Sequence, residues 1–453
     1  MKPIIGLEIH VPLPTKTKLF CGCKTIQRDT KPNRNVCPIC LGFPGARPML
    51  NEEAIIQALR IAKALNCEIA EKTMFSRKTY FYPDLPKNFQ ITQYESPIGR
   101  NGYLSLSNGK KIRIKRIQIE EDPGRITYTS DGRTLIDYNR SGIPLVEIVT
   151  EPDMETEREV VEFLELLSAY LLYLGVSNPQ SRMRSDLNIS IPGSERVEIK
   201  NVQGLRNIRE AIRYEIERHR KLVSLGMKIK RETLMYDAER GITIPTRTKE
   251  YEEDYGYIFE PDLPIINTER YMSLVTTPEM PDKKLSRIIE TQKITSEQEI
   301  DKLKSIIYTS TSYTKLIEKL IDGCGYSSKL LNRVHNLYKN LGEALTISMI
   351  EKHWEQLRKL FSIALEYGLS DKEIHEKVLE IINTGRFELE EEQKVDIDKV
   401  IDEFLDKHSE VIEAIKKDPK SINYFVGQII KTTGLKRYAK QIIEKLREKT
   451  RRE

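Results

Sequence analysis

The chain has 453 residues, 31% of them charged, and its 73 basic and 68 acidic side chains leave a net charge of +5. That length supplies two or three domains with cores of their own, so disulfide staples are not needed for stability. No apolar run approaches about 18 residues, which excludes a membrane span. The N-terminal "MKPIIGLEIHVPL" is broken by Glu8 and His10 with no small-residue cleavage pattern after it, which excludes a secretory signal. The expected location is the cytosol.

The first predicted element is a strand. In "IGLEIHVPL" Ile5, Leu7, Ile9, Val11 and Leu13 alternate along one face, which sends Glu8 and His10 to the other, about 7 Å apart. Next comes "CGCKTIQRDTKPNRNVCPIC", which holds Cys21, Cys23, Cys37 and Cys40 as two close pairs separated by thirteen residues. In a reducing cytosol such a cluster is a metal site before it is a pair of disulfides. Each pair is a short turn that aims two thiolates at one ion, and a closed S4 shell suits zinc in a structural role, with no open position for substrate. The alternative is four reduced thiols without a metal. "NEEAIIQALRIAKALN" then reads as a helix with Asn51 as its N-cap.

Acidic strand faces recur downstream. "IQIEEDPG" places Glu120, Glu121 and Asp122 at a strand end, and in "IPLVEIVTEPD" Glu147 interrupts an apolar run that reads as buried on both faces. A carboxylate there is costly without a cation or donors. "RMRSDLNISI" repeats the first pattern, with Leu187, Ile189 and Ile191 on one face and Asp186, Asn188 and Ser190 on the other. Convergent carboxylates with one histidine suit Mg²⁺ or Mn²⁺, which implies phosphate chemistry, yet the chain has neither a G-x-x-x-x-G-K-[ST] loop nor a G-x-G-x-x-G turn. The competing reading is acidic residues in unrelated salt bridges.

The helices "ETEREVVEFLELLSAYLLYL" and "GLRNIREAIRYEIERHRKLVSL" alternate with these strands. The second is rich in arginine, read as a solvated face, with His219 one of the basic run and not a ligand. Beyond "TTPEMPDKK" the chain turns to helix after helix, one of them opened by a Ser296 to Glu299 capping box, and "RFELEEEQKVDIDK" forms a charged joint before the last domain. From Lys431 onward there are nine basic and three acidic side chains, and Leu435, Tyr438, Ile442 and Leu446 trace an apolar stripe at helical spacing. Lys436, Arg437, Lys440, Lys445 and Arg447 are left to face outward, as solvated surface or as a nucleic-acid contact.

The segments "IGLEIHVPLPTKTKLFCGC", "VCPICLGFPGARPMLN", "RKTYFYPDLPKNFQITQYESPIG", "IEEDPG", "DYNRSGIPLVEIVTEPD" and "YFVGQIIK" resemble, in this order, the B subunit of the aspartyl/glutamyl-tRNA amidotransferases, from the first strand to the last helix. The archaeal sister protein, the E subunit, shares the "GLEIH" opening but carries a large inserted domain, for which there is no room here. The stretch before Asp186 departs from the "GSLRCDANIS" form familiar in bacterial members.

The resemblance implies an α+β fold: a cradle domain, residues 1–285, on a mainly antiparallel sheet with a zinc-binding loop at 21–40, then all-α domains at 286–390 and 391–453. It implies ATP-dependent phosphorylation of the side-chain carboxylate of Glu-tRNA(Gln) or Asp-tRNA(Asn), followed by amidation with ammonia. The ammonia would come from a glutaminase (amidase) partner, the A subunit, in complex with a small C subunit. Carried over by position, the resemblance puts His10, Glu121 and Glu147 around one Mg²⁺ and Glu8, Glu120 and Asp186 near a second cation. Lys78 and Arg140 are the candidates to meet nucleotide phosphates, although Arg140 could equally brace the turn before Gly142. Tyr80, Phe81 and Tyr82 either stack on a base or pack. The tail is implied to grip the body of the tRNA. The second class of function is a non-catalytic, zinc-containing RNA-binding protein whose acidic strands are scaffold only.

Overall fold

The computed structural model describes residues 2–25, 30–176, 184–248, 256–388, 397–408, 410–418, 421–433 and 438–452. Two compact units divide at Lys284/Leu285. The first is α+β. Its strands are β1 (Ile4–Pro12), β2 (Glu68–Ile69), β3 (Lys72–Thr73), β4 (Ser76–Thr79), β5 (Phe89–Thr92), β6 (Gly99–Ser105), β7 (Lys111–Glu121) and β8 (Arg125–Tyr128). They continue as β9 (Thr134–Asp137), β10 (Pro144–Thr150), β11 (Arg184–Ser190), β12 (Val197–Gln203), β13 (Glu232–Asp237), β14 (Ile242–Thr248), β15 (Gly256–Phe259) and β16 (Ile266–Asn267). Nine of these form one sheet in the order β14-β13-β12-β11-β1-β10-β7-β6-β2. Every pair in it is antiparallel except β12 with β13, so the sheet is mixed.

Alternation decides what this sheet buries. Ile5, Leu7, Ile9 and Val11 of β1, Val146 and Ile148 of β10, Ile117 and Ile119 of β7, and Leu187 and Ile189 of β11 are all buried. Burying each such side chain is worth about 1.5–3 kcal/mol. The register is therefore fixed, because a slip by one residue would turn the whole apolar set outward. Three helices accompany the sheet: α1 (Glu52–Ala64), α2 (Glu157–Tyr173) and α3 (Leu205–Ser224). Helix α1 packs on β6 and β7, and α3 on β11, β12 and β14. As expected, Asn51 caps α1: its Oδ1 accepts from the Glu53 amide at 3.0 Å.

Helix α3 differs from its reading in one respect. Arg206, Arg209, Arg213 and Arg220 are exposed, but Glu215 and His219 are fully buried. His219 Nε2 lies 2.9 Å from Glu215 Oε1 and its Nδ1 lies 2.9 Å from Ser194 Oγ. The i, i+4 spacing puts the pair on the apolar side of the helix, where Glu215 also accepts from Arg218 and Thr243.

The second unit is helical throughout its described residues. Ser296 stands at the N-cap of the helix Glu297–Thr309, but its side chain makes no capping bond. Glu299 accepts from the Tyr326 hydroxyl at 2.7 Å, so its carboxylate is spent on the turn before the helix Ser328–Leu341 and not on the cap. A complete capping box occurs instead at Ser370 and Glu373. The helices between Ile397 and Arg452 enclose a core of Ile401, Phe404, Val411, Ile415, Ile422, Val426, Ile429, Ile442 and Leu446, with Tyr438 packed against it. Leu435 of the predicted stripe lies outside the described residues.

Among the described residues no helix is long and apolar enough to cross a membrane.

Candidate active site and metal centres

The face of the sheet opposite the apolar one is polar across five adjacent strands. Register sets the residues side by side: Glu8 of β1 faces Asp186 of β11, His10 of β1 lies between Arg184 of β11 and Glu147 of β10, and Glu147 faces Gln118 of β7. Cross-strand neighbours of this kind hold their Cβ atoms about 4.5–5.5 Å apart. One row therefore runs Arg184, His10, Glu147, Gln118, with Glu8, Asp186 and Glu120 beside it.

Glu8, His10 and Glu147 come closest together, each offering a donor atom within 4.8 Å of the other two. His10 Nε2 lies 3.9 Å from Glu8 Oε1. Gln118 Nε2 donates to Glu147 Oε2 at 2.5 Å and to Glu120 Oε1 at 2.8 Å, and Glu120 also accepts from Thr92 Oγ1 at 2.7 Å and Gln90 Nε2 at 3.2 Å. Burial, then the charges of Glu120 and Glu8, push the Glu147 carboxyl well above the usual carboxylate range. Burial also works to raise Glu8, but Lys200, His10 and Lys78 outweigh it and bring it down to about 2. Glu120 is likewise lowered, its burial outweighed by Lys78 and His10.

Three buried or half-buried carboxylates thus crowd one histidine. Gln118 Oε1 is buried beside them without a hydrogen-bond partner among the described residues. Oxygen and imidazole donors with excess negative charge and an orphaned acceptor fit a hard divalent cation.

Alternation sets Glu121 off the row that holds Gln118 and Glu120. Its carboxylate accepts from Lys87 Nζ and from the Ile91 amide, the latter at 2.9 Å. The grouping around His10 therefore contains Glu8 where the resemblance implied Glu121. Asp186 accepts from Lys200 Nζ and from the Asn201 amide, both at 2.7 Å, and Lys200 also pairs with Glu198 at 2.9 Å. Lys78, on β4, acts electrostatically on Glu8, Glu120 and Glu147, and its Nζ lies 5.9 Å from the Tyr80 ring centroid. Arg140 makes a two-pronged ion pair with Asp122. Asp122 in turn exchanges backbone hydrogen bonds with Gly142 and Ile143 at 2.8 Å each, so Arg140 braces this turn. Gly142 has φ +87°, a conformation that favours glycine. Phe81 and Tyr82 are exposed, and the Tyr82 and Tyr128 hydroxyls are 3.4 Å apart.

Gln118, Lys200 and Arg184 belong to this face and were not singled out from the sequence. The signal was there: in "IQIE", "VEIK" and "RSDL" each is two residues from an acidic neighbour across an apolar or small one.

The four thiols of Cys21, Cys23, Cys37 and Cys40 also lie within 4.8 Å of one another, and none forms a disulfide. Ligands about 2.3 Å from a tetrahedral zinc would sit roughly 3.8 Å apart, so the cluster fits such an ion. Hydrogen bonding from Cys21, the Cys37 amide and the charge of Lys18 bring Cys40 down to about 4, whereas burial leaves Cys23 up at about 11. Lys18 is fully buried, with Nζ 2.9 Å from the Asn35 carbonyl and 3.6 Å from Cys40 Sγ.

In the tail, Lys436 and Arg437 lie outside the described residues. Lys440 falls within the helix Ala439–Arg452, Arg447 is exposed, and Lys445 bridges to Asp398 at 3.2 Å.

A five-strand carboxylate face together with a cysteine cluster defines the class. Residues 3–273 match the family model described as the GatB/GatE catalytic domain. The chain is 40% identical over 98% of both chains to the aspartyl/glutamyl-tRNA(Asn/Gln) amidotransferase B subunit of Saccharolobus solfataricus. It is 41% identical over 95% of both to that of Sulfurisphaera tokodaii, and 37% identical over 95% of both to that of Clostridium kluyveri. The chain belongs to the family of aspartyl/glutamyl-tRNA(Asn/Gln) amidotransferase B subunits, and its function is that of one component of a glutamine-hydrolysing, tRNA-dependent amidotransferase. These relationships lend no support to a non-catalytic RNA-binding protein.

Proposed function

We propose that the polar face of the sheet is where the side-chain carboxylate of Glu-tRNA(Gln), Asp-tRNA(Asn) or both is activated with ATP and then converted to an amide. The observation that carries this is the crowding of Glu8, Glu147 and Glu120 around His10 with the orphaned Gln118 oxygen among them. A carboxylate is a poor acyl donor. Its oxygen attacks the γ-phosphorus of ATP, ADP leaves, and ammonia then attacks the acyl carbon while inorganic phosphate departs with the former side-chain oxygen. Such a transfer is catalysed chiefly by positioning and by neutralising charge.

Bound by Glu8, His10 and Glu147, Mg²⁺ would supply that neutralisation at the transferring phosphoryl group. Gln118 and Thr92 hold Glu147 and Glu120 in place. Asp186, next to Glu8 in register and steadied by Lys200, would extend the cation site on the β11 side, three strands from Glu120. Lys78 adds positive charge toward incoming phosphates, and Arg140 acts through the turn that it braces. In this reading Glu8 takes the role that the resemblance gave to Glu121. Ammonia comes from the glutaminase partner, with the small third component completing a cytoplasmic complex.

The cysteine cluster holds structural zinc, which ties the loop at 21–40 to the edge of the cradle domain, residues 1–285. Cys37→Ser is expected to release the zinc and lower the unfolding temperature, with turnover per folded molecule within about twofold of the parent, because a closed S4 shell takes no part in the reaction. Zinc content by atomic absorption and turnover on the folded fraction check this, and a proportional loss of turnover would put the ion in the chemistry. The helical residues 286–390 form a connecting domain, and 391–453 a tail that binds tRNA.

The whole reading is tested by mixing the full-length chain with glutamyl-tRNA, ATP, Mg²⁺ and an ammonium salt, without a glutaminase partner. ADP and glutaminyl-tRNA are expected. Absence of both with tRNA binding intact would favour the binding module.

A further inference from the structure

The polar face carries a strong cation that no acidic group among the described residues pairs with. Lys200 is taken by Asp186 and Glu198, Lys87 by Glu121, and Arg140 by Asp122. Arg184 is half-buried at the start of β11 and, among the described residues, its side chain makes no hydrogen bond or ion pair. It shares the face of Asp186, two residues on, and is the cross-strand partner of His10. Its Cβ is thus about 5 Å from that of His10 and about two strand spacings, roughly 10 Å, from that of Glu147. An arginine side chain covers that span.

Leaving a guanidinium without a counter-charge in such a place is unfavourable. The charged neighbours of Arg184 are Arg140 and Arg125, with Asp122 already paired to Arg140. The surroundings are therefore short of negative charge on this flank, while Glu147 beside His10 stands among the like charges of Glu8 and Glu120. A ligand that answers both needs is a polyanion carrying its own divalent cation. A triphosphate fits that description better than a lone carboxylate, since it brings several charges, and the planar fork of arginine matches two phosphate oxygens at once.

We propose that Arg184 binds the phosphates of the nucleotide, gripping them from the β11 side of the row in which Glu8, His10 and Glu147 would hold the accompanying cation. The inference rests on the functional reading above and adds the phosphate anchor to it. It also explains why the neighbourhood of Asp186 carries a second charged residue on the same face: Asp186 is held by Lys200, so Arg184 stays available for the ligand. Replacing it removes no hydrogen bond or ion pair among the described residues, so the variants are expected to keep the parent's unfolding temperature.

The test is calorimetric titration of the full-length chain with ADP in the presence of Mg²⁺, for the parent, R184M and R184K. R184M is expected to weaken ADP binding about tenfold or more, and R184K, which keeps the charge but loses the fork, by less. In the ammonium-supported assay the KM for ATP should rise while that for glutamyl-tRNA stays within about twofold. ADP affinity unchanged in both variants would overturn the proposal and leave the functional reading standing. A rise confined to the KM for glutamyl-tRNA would also overturn it, by assigning Arg184 to the substrate carboxylate. A parent chain that binds no ADP with Mg²⁺ would sink the functional reading itself, and the anchor with it.

Discussion

Glu147→Gln is expected to lower ammonium-dependent amidation about a hundredfold or more, because under the proposed function Glu147 would be a direct ligand of the cation at the transferring phosphoryl group, and even outer-shell changes at metal sites cost 10–100-fold. The fold should survive. Glu147 is buried among like charges, so a neutral amide of the same shape relieves repulsion, and exchanging buried charge for neutral groups is often neutral or stabilising. Glu121→Gln makes the informative contrast. Its carboxylate forms a buried pair with Lys87, and leaving that ammonium without a counter-charge should cost about 3 kcal/mol of stability. Amidation per folded molecule should then stay within about fivefold of the parent, since no metal ligand is lost. Rates and thermal unfolding of the two variants check this together. The reverse pattern, chemistry lost with Glu121 and kept without Glu147, would move the cation off the His10 row.

Deleting residues 391–453 is expected to weaken tRNA binding by roughly tenfold or more at physiological salt and to flatten its salt dependence, because basic side chains on phosphates act by releasing counterions. The helices of this segment surround a core of their own. Part of the basic set already has partners: Lys445 pairs with Asp398, and Lys449 with Asp402. Arg447 is exposed and is the better candidate for contact. Filter binding at several salt concentrations checks this, alongside ADP titration of the truncated chain, which should match the parent. Unchanged tRNA affinity would make the tail a structural domain only.

Much of the site was legible because strand alternation is a strict period of two. "GLEIH" and "RSDLNIS" announced one polar and one apolar face each, and β1 and β11 lie side by side with those faces aligned. Glu147 was recognisable as costly because it stands in an apolar run, and it is buried in the row with His10. The same rule, carried one strand further, separates Glu120 from Glu121, since Gln118 and Glu120 share parity with the row and Glu121 does not.

What the sequence could not supply was pairing between segments far apart in the chain. That Lys200 is spent on Asp186, that Lys87 is spent on Glu121, and that Arg184 meets no acidic partner among the described residues follows only from the sheet order and the placement of loops. His219 departs from its reading for a related reason. A basic run reads as a solvated face until helical spacing is checked, and here Glu215 and His219 share the buried side of α3. The Ser296 cap is missing because Glu299 has a tertiary partner in Tyr326, a contact no local pattern reports.

Under the proposed function the side-chain carboxylate becomes an acyl phosphate on this face of the sheet. Glutamyl-tRNA labelled with ¹⁸O in the side-chain carboxylate, incubated with the full-length chain, ATP, Mg²⁺ and an ammonium salt, tests it directly through mass analysis of the phosphate released. Attack of that carboxylate on the γ-phosphorus predicts inorganic phosphate carrying one ¹⁸O for each glutaminyl-tRNA formed. Glutaminyl-tRNA accompanied by unlabelled phosphate would contradict it.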